Sequence, residues 1–160
     1  MKSYYNIRYE IILGGVPVLI ESKMKIFNSL WNEISVTYHE VALKLGLSDS
    51  AMMILYSICS NGNECMLSDI VNTTNISKQT VNSALRNLEA DGIIYLELVG
   101  SRKKKVCLTD KGKGLVKNTV YKLINIENKI YNSWSKEDSN LYLHLTQKFL
   151  DEFRNETKDL

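Results

Sequence analysis

The chain is expected to be mainly α, with one small β-hairpin placed late in it between helical segments. Three observations carry that expectation. Apolar residues recur at three- and four-residue steps over most of the 160 residues. Pro17 is the single proline, so nothing downstream of it has to break a helix. One β-rich stretch, Ile93 to Val99, is followed after a short basic run by Lys105 to Leu108, the pattern of two strands joined by a turn.

Taken in order, Phe27, Leu30, Trp31, Ile34, Tyr38, Val41 and Leu45 form one face of a long amphipathic helix over 24–45. Gly46 sits where a C-terminal cap belongs. Ser48 can cap a second helix carrying Met52, Leu55, Tyr56 and Cys59, which ends near Asn61-Gly62. A short helix follows over 67–72, then the polar turn Thr73-Thr74-Asn75. Ser77 is a suitable N-cap for a helix over 78–91 whose buried stripe is Val81, Ala84, Leu85 and Leu88. After the hairpin, one long helix is expected from Thr109-Asp110 to about Trp134, with Val116, Val120, Leu123, Ile130 and Trp134 along one side. Ser135 and Asp138 resemble a capping box for a last helix bearing Leu141, Leu145, Phe149 and Phe153.

Composition bounds the remaining classes. At 160 residues and 44% apolar, the chain suits one ordinary domain with a real core. The formal net charge of +2 makes no case for a polyanionic partner by itself, so the placement of charge has to decide. Cys59, Cys65 and Cys107 are odd in number and lack metal-ligand spacing, which fits a reducing cytosol better than a disulfide framework. The apolar run over 11–20 is shorter than a spanning helix needs and is broken by Gly14-Gly15 and Pro17. It reads as an extended or irregular segment packed on a neighbour. A cytoplasmic protein with no membrane partner is expected. Ser-His-Asp or Cys-His order, metal clusters and glycine-rich phosphate loops are missing from the sequence, and His39 and His144 have no paired ligands. Neither an enzyme, nor a cofactor, nor a metal site is expected.

The informative constellation lies in the middle. The helix over 78–91 presents Ser77, Lys78, Gln79, Thr80, Asn82, Ser83 and Arg86 away from its apolar stripe. Short hydrogen-bonding side chains and positive charge gathered at a helix N-terminus suit entry into the major groove of double-stranded DNA, where base edges and phosphates are met together. The hairpin that follows carries Arg102, Lys103, Lys104 and Lys105, and Lys111 and Lys113 extend the basic patch past Asp110. A basic loop tip alone is more often a solubilising feature. Directly after two helices and a tight turn it makes a winged helix-turn-helix, with Arg102, Lys103 and Lys104 set to meet backbone or minor groove.

The run Ser77-Lys78-Gln79-Thr80-Val81-Asn82-Ser83-Ala84-Leu85-Arg86-Asn87-Leu88-Glu89-Ala90-Asp91-Gly92-Ile93-Ile94 resembles the recognition helix and wing entry of the MarR family of transcriptional regulators. Leu108-Thr109-Asp110-Lys111-Gly112 resembles that family's start of the helix after the wing, and Gly46-Leu47-Ser48 its opening of the second helix. The resemblance spans about residues 24–155. It implies a homodimer built by the first and last helices (24–45 and 110–155), with Phe27, Trp31, Leu123, Ile130, Leu145 and Phe149 in the interface. The head over 48–108 binds DNA, and the output is repression relieved by a small ligand or an oxidant. Family wings carry Asp-x-Arg near the tip; here Arg102 falls on the arginine and Gly100 on the aspartate. Residues 1–23 form an extension of unassigned role, and 156–160 a tail.

Two features keep alternatives. Cys59 or Cys65 could serve as a peroxide-sensing thiol, as in some members of that family, although small core or ordinary surface positions are the commoner use. Trp31, Tyr38, Tyr56 and Trp134 could line a site for a small aromatic effector, although aromatic stripes at helical spacing more often form core, in this setting dimer core. For the whole chain, the rival reading is a winged-helix protein-interaction module that meets an acidic partner and has no specific DNA site.

Overall fold

The structure, a computed structural model, describes residues 9–13, 16–20, 22–74, 76–100 and 103–160. Among them the elements run β1 (Tyr9–Leu13), β2 (Val16–Ile20), α1 (Ser22–Lys44), α2 (Asp49–Ser60), β3 (Glu64–Met66) and α3 (Leu67–Thr73). They continue with α4 (Lys78–Ala90), β4 (Ile94–Val99), β5 (Lys103–Leu108), α5 (Asp110–Asn118), α6 (Val120–Asn132) and α7 (Lys136–Glu156). This is the mainly α, winged helix-turn-helix arrangement expected from the sequence. The chain divides into two compact units, Met1–Met53 and Ile54–Leu160, where the sequence led us to expect one domain over 24–155.

In the first unit β1 and β2 pair antiparallel, with Tyr9 opposite Ile20 and Leu13 opposite Val16. Of the two readings of 11–20, extended or irregular, the extended one holds, as a pair of strands. Two β-rich runs flanking Gly14-Gly15 are a hairpin signal in the sequence; the two glycines themselves lie outside the described residues. Pro17 is tolerated because a two-stranded sheet consists only of edges. Residues Lys23 to Glu40 of α1 are all exposed in the single chain, while Val41 and Leu45, the last two of the apolar stripe read from the sequence, are half-buried. The helix stops abruptly at Gly46, whose φ of +71° lets its N–H reach Leu43 O (3.0 Å) while Leu47 N–H reaches Ala42 O (3.0 Å). Ser48 Oγ then accepts from Ala51 N–H at 3.2 Å, and His39 Nδ1 meets the Asp49 carboxylate at 2.9 Å.

The second unit has its own apolar centre. Ile54, Leu55 and Ile58 of α2, Ile70 of α3, Val81 of α4, Ile94 of β4, Val106 of β5, Val116 of α5 and Val120 of α6 are each under 2% exposed. At about 1.5–3 kcal/mol per buried aliphatic side chain, this cluster is the main favourable term for the unit. The sheet has order β3-β5-β4, all antiparallel. The strand β3 was not foreseen: three residues are too few to show a period.

The long helix expected over 110–134 is two helices. At Thr119 the backbone leaves helical geometry (φ −125°, ψ −88°). Its Oγ1 donates to Leu115 O at 2.8 Å, taking the carbonyl that its own N–H would use, and that N–H goes to Val116 O at 3.3 Å. Such back-bonding by a threonine hydroxyl bends helices. In α7, Ser135 Oγ accepts from Asp138 N–H (3.0 Å) as expected of a cap, while the Asp138 carboxylate accepts from the Ser135 hydroxyl at 2.8 Å instead of its backbone N–H.

The head is closed by one polar knot. Gly92 (φ +67°) ends α4, donating to Glu89 O (2.9 Å), and Ile93 N–H reaches back to Leu88 O (2.9 Å). The Ile93 carbonyl accepts from Thr109 N–H at 3.0 Å, and Thr109 Oγ1 donates to Gly92 O at 2.6 Å while accepting from Gly112 N–H at 2.9 Å. A Cβ on Gly112 would overlap the Ile93 carbonyl oxygen. Gly112→Ala should therefore lower stability by about 1–3 kcal/mol, the range for overpacking a fitted interior. Urea denaturation would measure it; an unchanged midpoint would mean that the helix start can shift without cost.

Candidate nucleic-acid interface

Ser77 starts α4 as predicted, its Oγ accepting from Thr80 N–H at 3.1 Å and lying 2.9 Å from Thr80 Oγ1. Val81, Ala84, Leu85 and Leu88 form the buried stripe. Helical geometry then forces Lys78, Gln79, Thr80, Asn82, Ser83 and Arg86 outward, and each of them, like Ser77, is exposed. Arg86 Nε donates to Asn82 O at 3.3 Å, which lays its guanidinium along the helix beside Asn82. The free N–H groups of the first turn add partial positive charge at the same end. The turn before α4 is held by Thr74, a buried residue whose Oγ1 donates to Ile70 O at 2.7 Å; Asn75 lies outside the described residues.

The hairpin places Val99 opposite Lys103, Leu98 opposite Lys104 and Glu97 opposite Lys105. Lys103 and Lys104 were expected in the loop but belong to β5, and both are exposed. Being consecutive in a strand, they face opposite sides of the ribbon. Gly100, at the family's aspartate position, has a φ of +66° and offers no side chain to orient a neighbour. Arg102, the expected centre of the wing, lies outside the described residues.

The basic patch is smaller than the sequence led us to expect. Lys105 Nζ lies 3.0 Å from Glu64 Oε2 and 3.3 Å from Glu97 Oε2; hydrogen bonding to Glu64, then to Glu97, holds its ammonium above the usual lysine range. Lys111 Nζ donates to Asp91 O at 2.7 Å. Lys113 Nζ is 3.0 Å from Asp110 Oδ1, and that hydrogen bond likewise pushes it up. Two of these three lysines are thus matched by carboxylates and the third is tied to the head. Among the described residues of the wing, the unmatched positive charge is that of Lys103 and Lys104. Glu64 and Glu97 were not anticipated as partners: both were visible in the sequence, but strand register decides which lysine they meet.

The residues expected at a dimer interface separate into two groups. Phe27, Trp31, Ile130, Leu145 and Phe149 are 40–56% exposed in the single chain, whereas Leu123 is 6% exposed. Leu123 is therefore core, because the turn at Thr119 directs the start of α6 inward. No residue of α7 is buried. Of the expected aromatic lining, Tyr56 donates to Glu127 Oε2 at 2.7 Å, and Trp134 packs edge-on against Tyr142 with ring centroids 5.3 Å apart.

Cys59, Cys65 and Cys107 are free thiols and all are buried. Burial pushes Cys59 up to about 11, against an opposing hydrogen bond with Tyr121. Burial also raises Cys65, outweighing the Ser57 hydroxyl beside it. A peroxide sensor needs an accessible thiolate, and neither residue supplies one.

Residues 45–104 match the family model described as MarR family. No curated protein sequence matches the chain. Among solved structures, a MarR family regulator from Neisseria meningitidis is similar with a TM-score of 0.70 and 18% identity, over 84% of this chain and 95% of that one. The S. aureus MepR–DNA complex is similar with a TM-score of 0.62 and 20% identity, over 81% and 96%. A Bordetella bronchiseptica BpsR structure, titled for the regulation of its DNA binding by 6-hydroxynicotinic acid, is similar with a TM-score of 0.58 and 20% identity, over 77% and 97%. The chain has the fold of these regulators. Among the described residues, no single helix is long and apolar enough to cross a membrane.

The buried thiols should stay unlabelled by an aromatic disulfide reagent in native buffer at pH 8 and react only after denaturation. Rapid labelling of the folded chain would mean that burial does not protect them. The sign of the linked pH effect is also set. Between 9.0, the ordinary cysteine value, and about 11, the unfolded chain releases the Cys59 proton while the folded chain keeps it. Stability should fall over that window, and less so in Cys59→Ala, in urea melts at stepped pH.

Proposed function

We propose that this chain is a cytoplasmic, homodimeric transcription regulator that binds a specific double-stranded DNA site through α4 and the β4–β5 wing. The observation that carries the proposal is the exposed row Lys78, Gln79, Thr80, Asn82, Ser83 and Arg86, set on a helix whose opposite stripe is buried. The major groove accepts an α-helix, and amide and guanidinium side chains pair there with adenine and guanine edges. Ser77 and the first-turn amides face phosphate. Lys103 and Lys104, with Arg102 between them and Gly100, supply backbone contacts that make affinity salt-dependent. The match to the MarR family over 45–104 and the likeness to a regulator captured on DNA support this reading.

The exposed Trp31 of α1, Ile130 of α6 and Leu145 of α7 support a homodimer, since large apolar side chains on long helices are stabilised by burial against a second copy. A two-fold dimer would set two copies of α4 about 34 Å apart, one helical turn of DNA. Occupancy of a promoter would repress it. Release by a small aromatic effector fits better than release by oxidation, because the thiols are buried; the BpsR structure supplies the precedent for a ligand of that kind.

Binding of purified protein to labelled duplex from its own upstream region, and to a random duplex pool, tests the proposal. Selective, salt-sensitive binding by a dimer is expected. Lys103→Ala and Lys104→Ala should each lower the slope of log affinity against log salt by about 1. Arg102→Ala should weaken binding to all duplexes. Asn82→Ala and Arg86→Ala should change preference among sites, each at about 1–3 kcal/mol on the preferred one. Failure to select any site from the pool would replace this reading with the protein-interaction module.

A further inference from the structure

We infer that Lys105 is the positioning residue of the wing: its ammonium, held at once by Glu64 and Glu97, fixes the hairpin on the head and stays off the DNA. The inference rests on the DNA-binding reading above and assigns a device to the same site. Lys105 stands where the sheet changes width. On one side it is paired with Glu97 of β4, and on the other with Met66, the last residue of β3. Beyond this row β3 is gone, and the ribbon that carries Lys103 and Lys104 is only two strands wide. A two-stranded ribbon in water is marginal on its own, so its direction is decided at the row where the third strand ends.

The triad centres on that row, with Glu64 reaching in diagonally from its place opposite Cys107, and it joins three strands with separate attachments. Glu64 lies on β3, which runs directly into α3; Glu97 lies on β4, which leaves α4; Lys105 lies on β5, which runs into α5. The two contacts, 3.0 and 3.3 Å, occupy two of the three ammonium donors. The Lys105 side chain is 23% exposed, against 75%, 58% and 58% for the ion-paired Lys44, Lys113 and Lys148. Glu97 also accepts from Cys107 Sγ at 3.8 Å, which limits its freedom further. The triad carries two negative charges to one positive. At the root of a hairpin meant for a polyanion that balance opposes binding, so its contribution has to come from geometry.

The charge balance makes the test a question of sign. Glu64→Gln with Glu97→Gln removes two negative charges close to DNA, and simple electrostatics would tighten binding. If the triad positions the wing, the double variant binds duplex about three- to fivefold more weakly, as expected for losing two coupled ion pairs. Lys105→Met weakens binding to a similar extent, without adding to the double variant. Lys105→Arg, which can keep both pairs, binds as the parent chain does. In each weakened variant, amide hydrogen exchange should speed up at Leu98, Val99, Lys103 and Lys104 and stay unchanged at Val81, Leu85 and Leu88. That contrast separates wing release from general unfolding. Tighter binding by the double glutamine variant, or wing-tip exchange equal to that of the parent, overturns the inference. If the parent chain selects no duplex, the DNA-binding reading fails instead, and the exchange measurement still decides whether Lys105 holds the wing.

Discussion

The carbonyl of Ile93 is the point on which the head of this protein turns. It receives the Thr109 N–H, and Gly112 has no side chain to keep the two segments apart. Thr109 meanwhile caps α5 and binds the carbonyl of Gly92. The end of α4, both strands of the hairpin and the start of α5 therefore share one small set of polar contacts. Packing beneath it is apolar and non-directional: Val81, Leu85, Ile94, Val106 and Val116 would tolerate modest rotations of one element on another. The hydrogen bonds do not, because each has a narrow angular range. The direction in which α4 presents its polar row is thus set at its C-terminal end, about two to three turns from residues Lys78 to Asn82 and one from Arg86.

Charge near the wing follows the same logic. Counting positive residues over 102–113 overstates what the surface offers, because Lys105, Lys111 and Lys113 each have a partner within the protein. Those partners hold strand to strand, the helix start to the end of α4, and the first turn of α5 to itself. A lysine in a basic run can serve the fold or serve a ligand, and a residue count treats both alike. The exposed row on α4 is a sounder guide, because burial of its opposite stripe leaves those side chains no alternative direction.

Most of the architecture was legible where a period ran long or a cap was explicit. Ser48, Ser77 and Ser135 each begin a helix, Gly46 and Gly92 each follow the end of one, the stripe on α4 is buried as its spacing required, and that on α2 is buried at Met52, Leu55 and Cys59 with Tyr56 half-buried. The failures have physical causes. A helical pattern continued through 110–134 because Val116, Val120 and Leu123 keep their spacing across the break; the competing bond from the Thr119 hydroxyl leaves no mark on periodicity. The same break took Leu123 out of the expected interface. The strand β3 owes its existence to pairing with β5, a contact between residues some forty positions apart. Register, in turn, decides that Glu97 and Glu64 meet Lys105, and no local rule in the sequence could have matched them.

Lys103, Lys104 and Lys105 are identical in chemistry, and this run raises a problem of addressing. A slip of one residue in β5 would still put a lysine opposite Glu97, but it would send Val106 and Leu108 to the other face of the sheet, at a large hydrophobic cost. A slip of two in the same direction would keep every face and put Lys103 opposite Glu97, but Lys104 would then occupy the fully buried place of Val106 opposite Leu96. Glu64 does not reject it either, since Lys103 would stand where Lys105 stands beside β3 and meet the same two carboxylates. Val106 thus works as the address on a repetitive code, rejecting the slip that both carboxylates would let through.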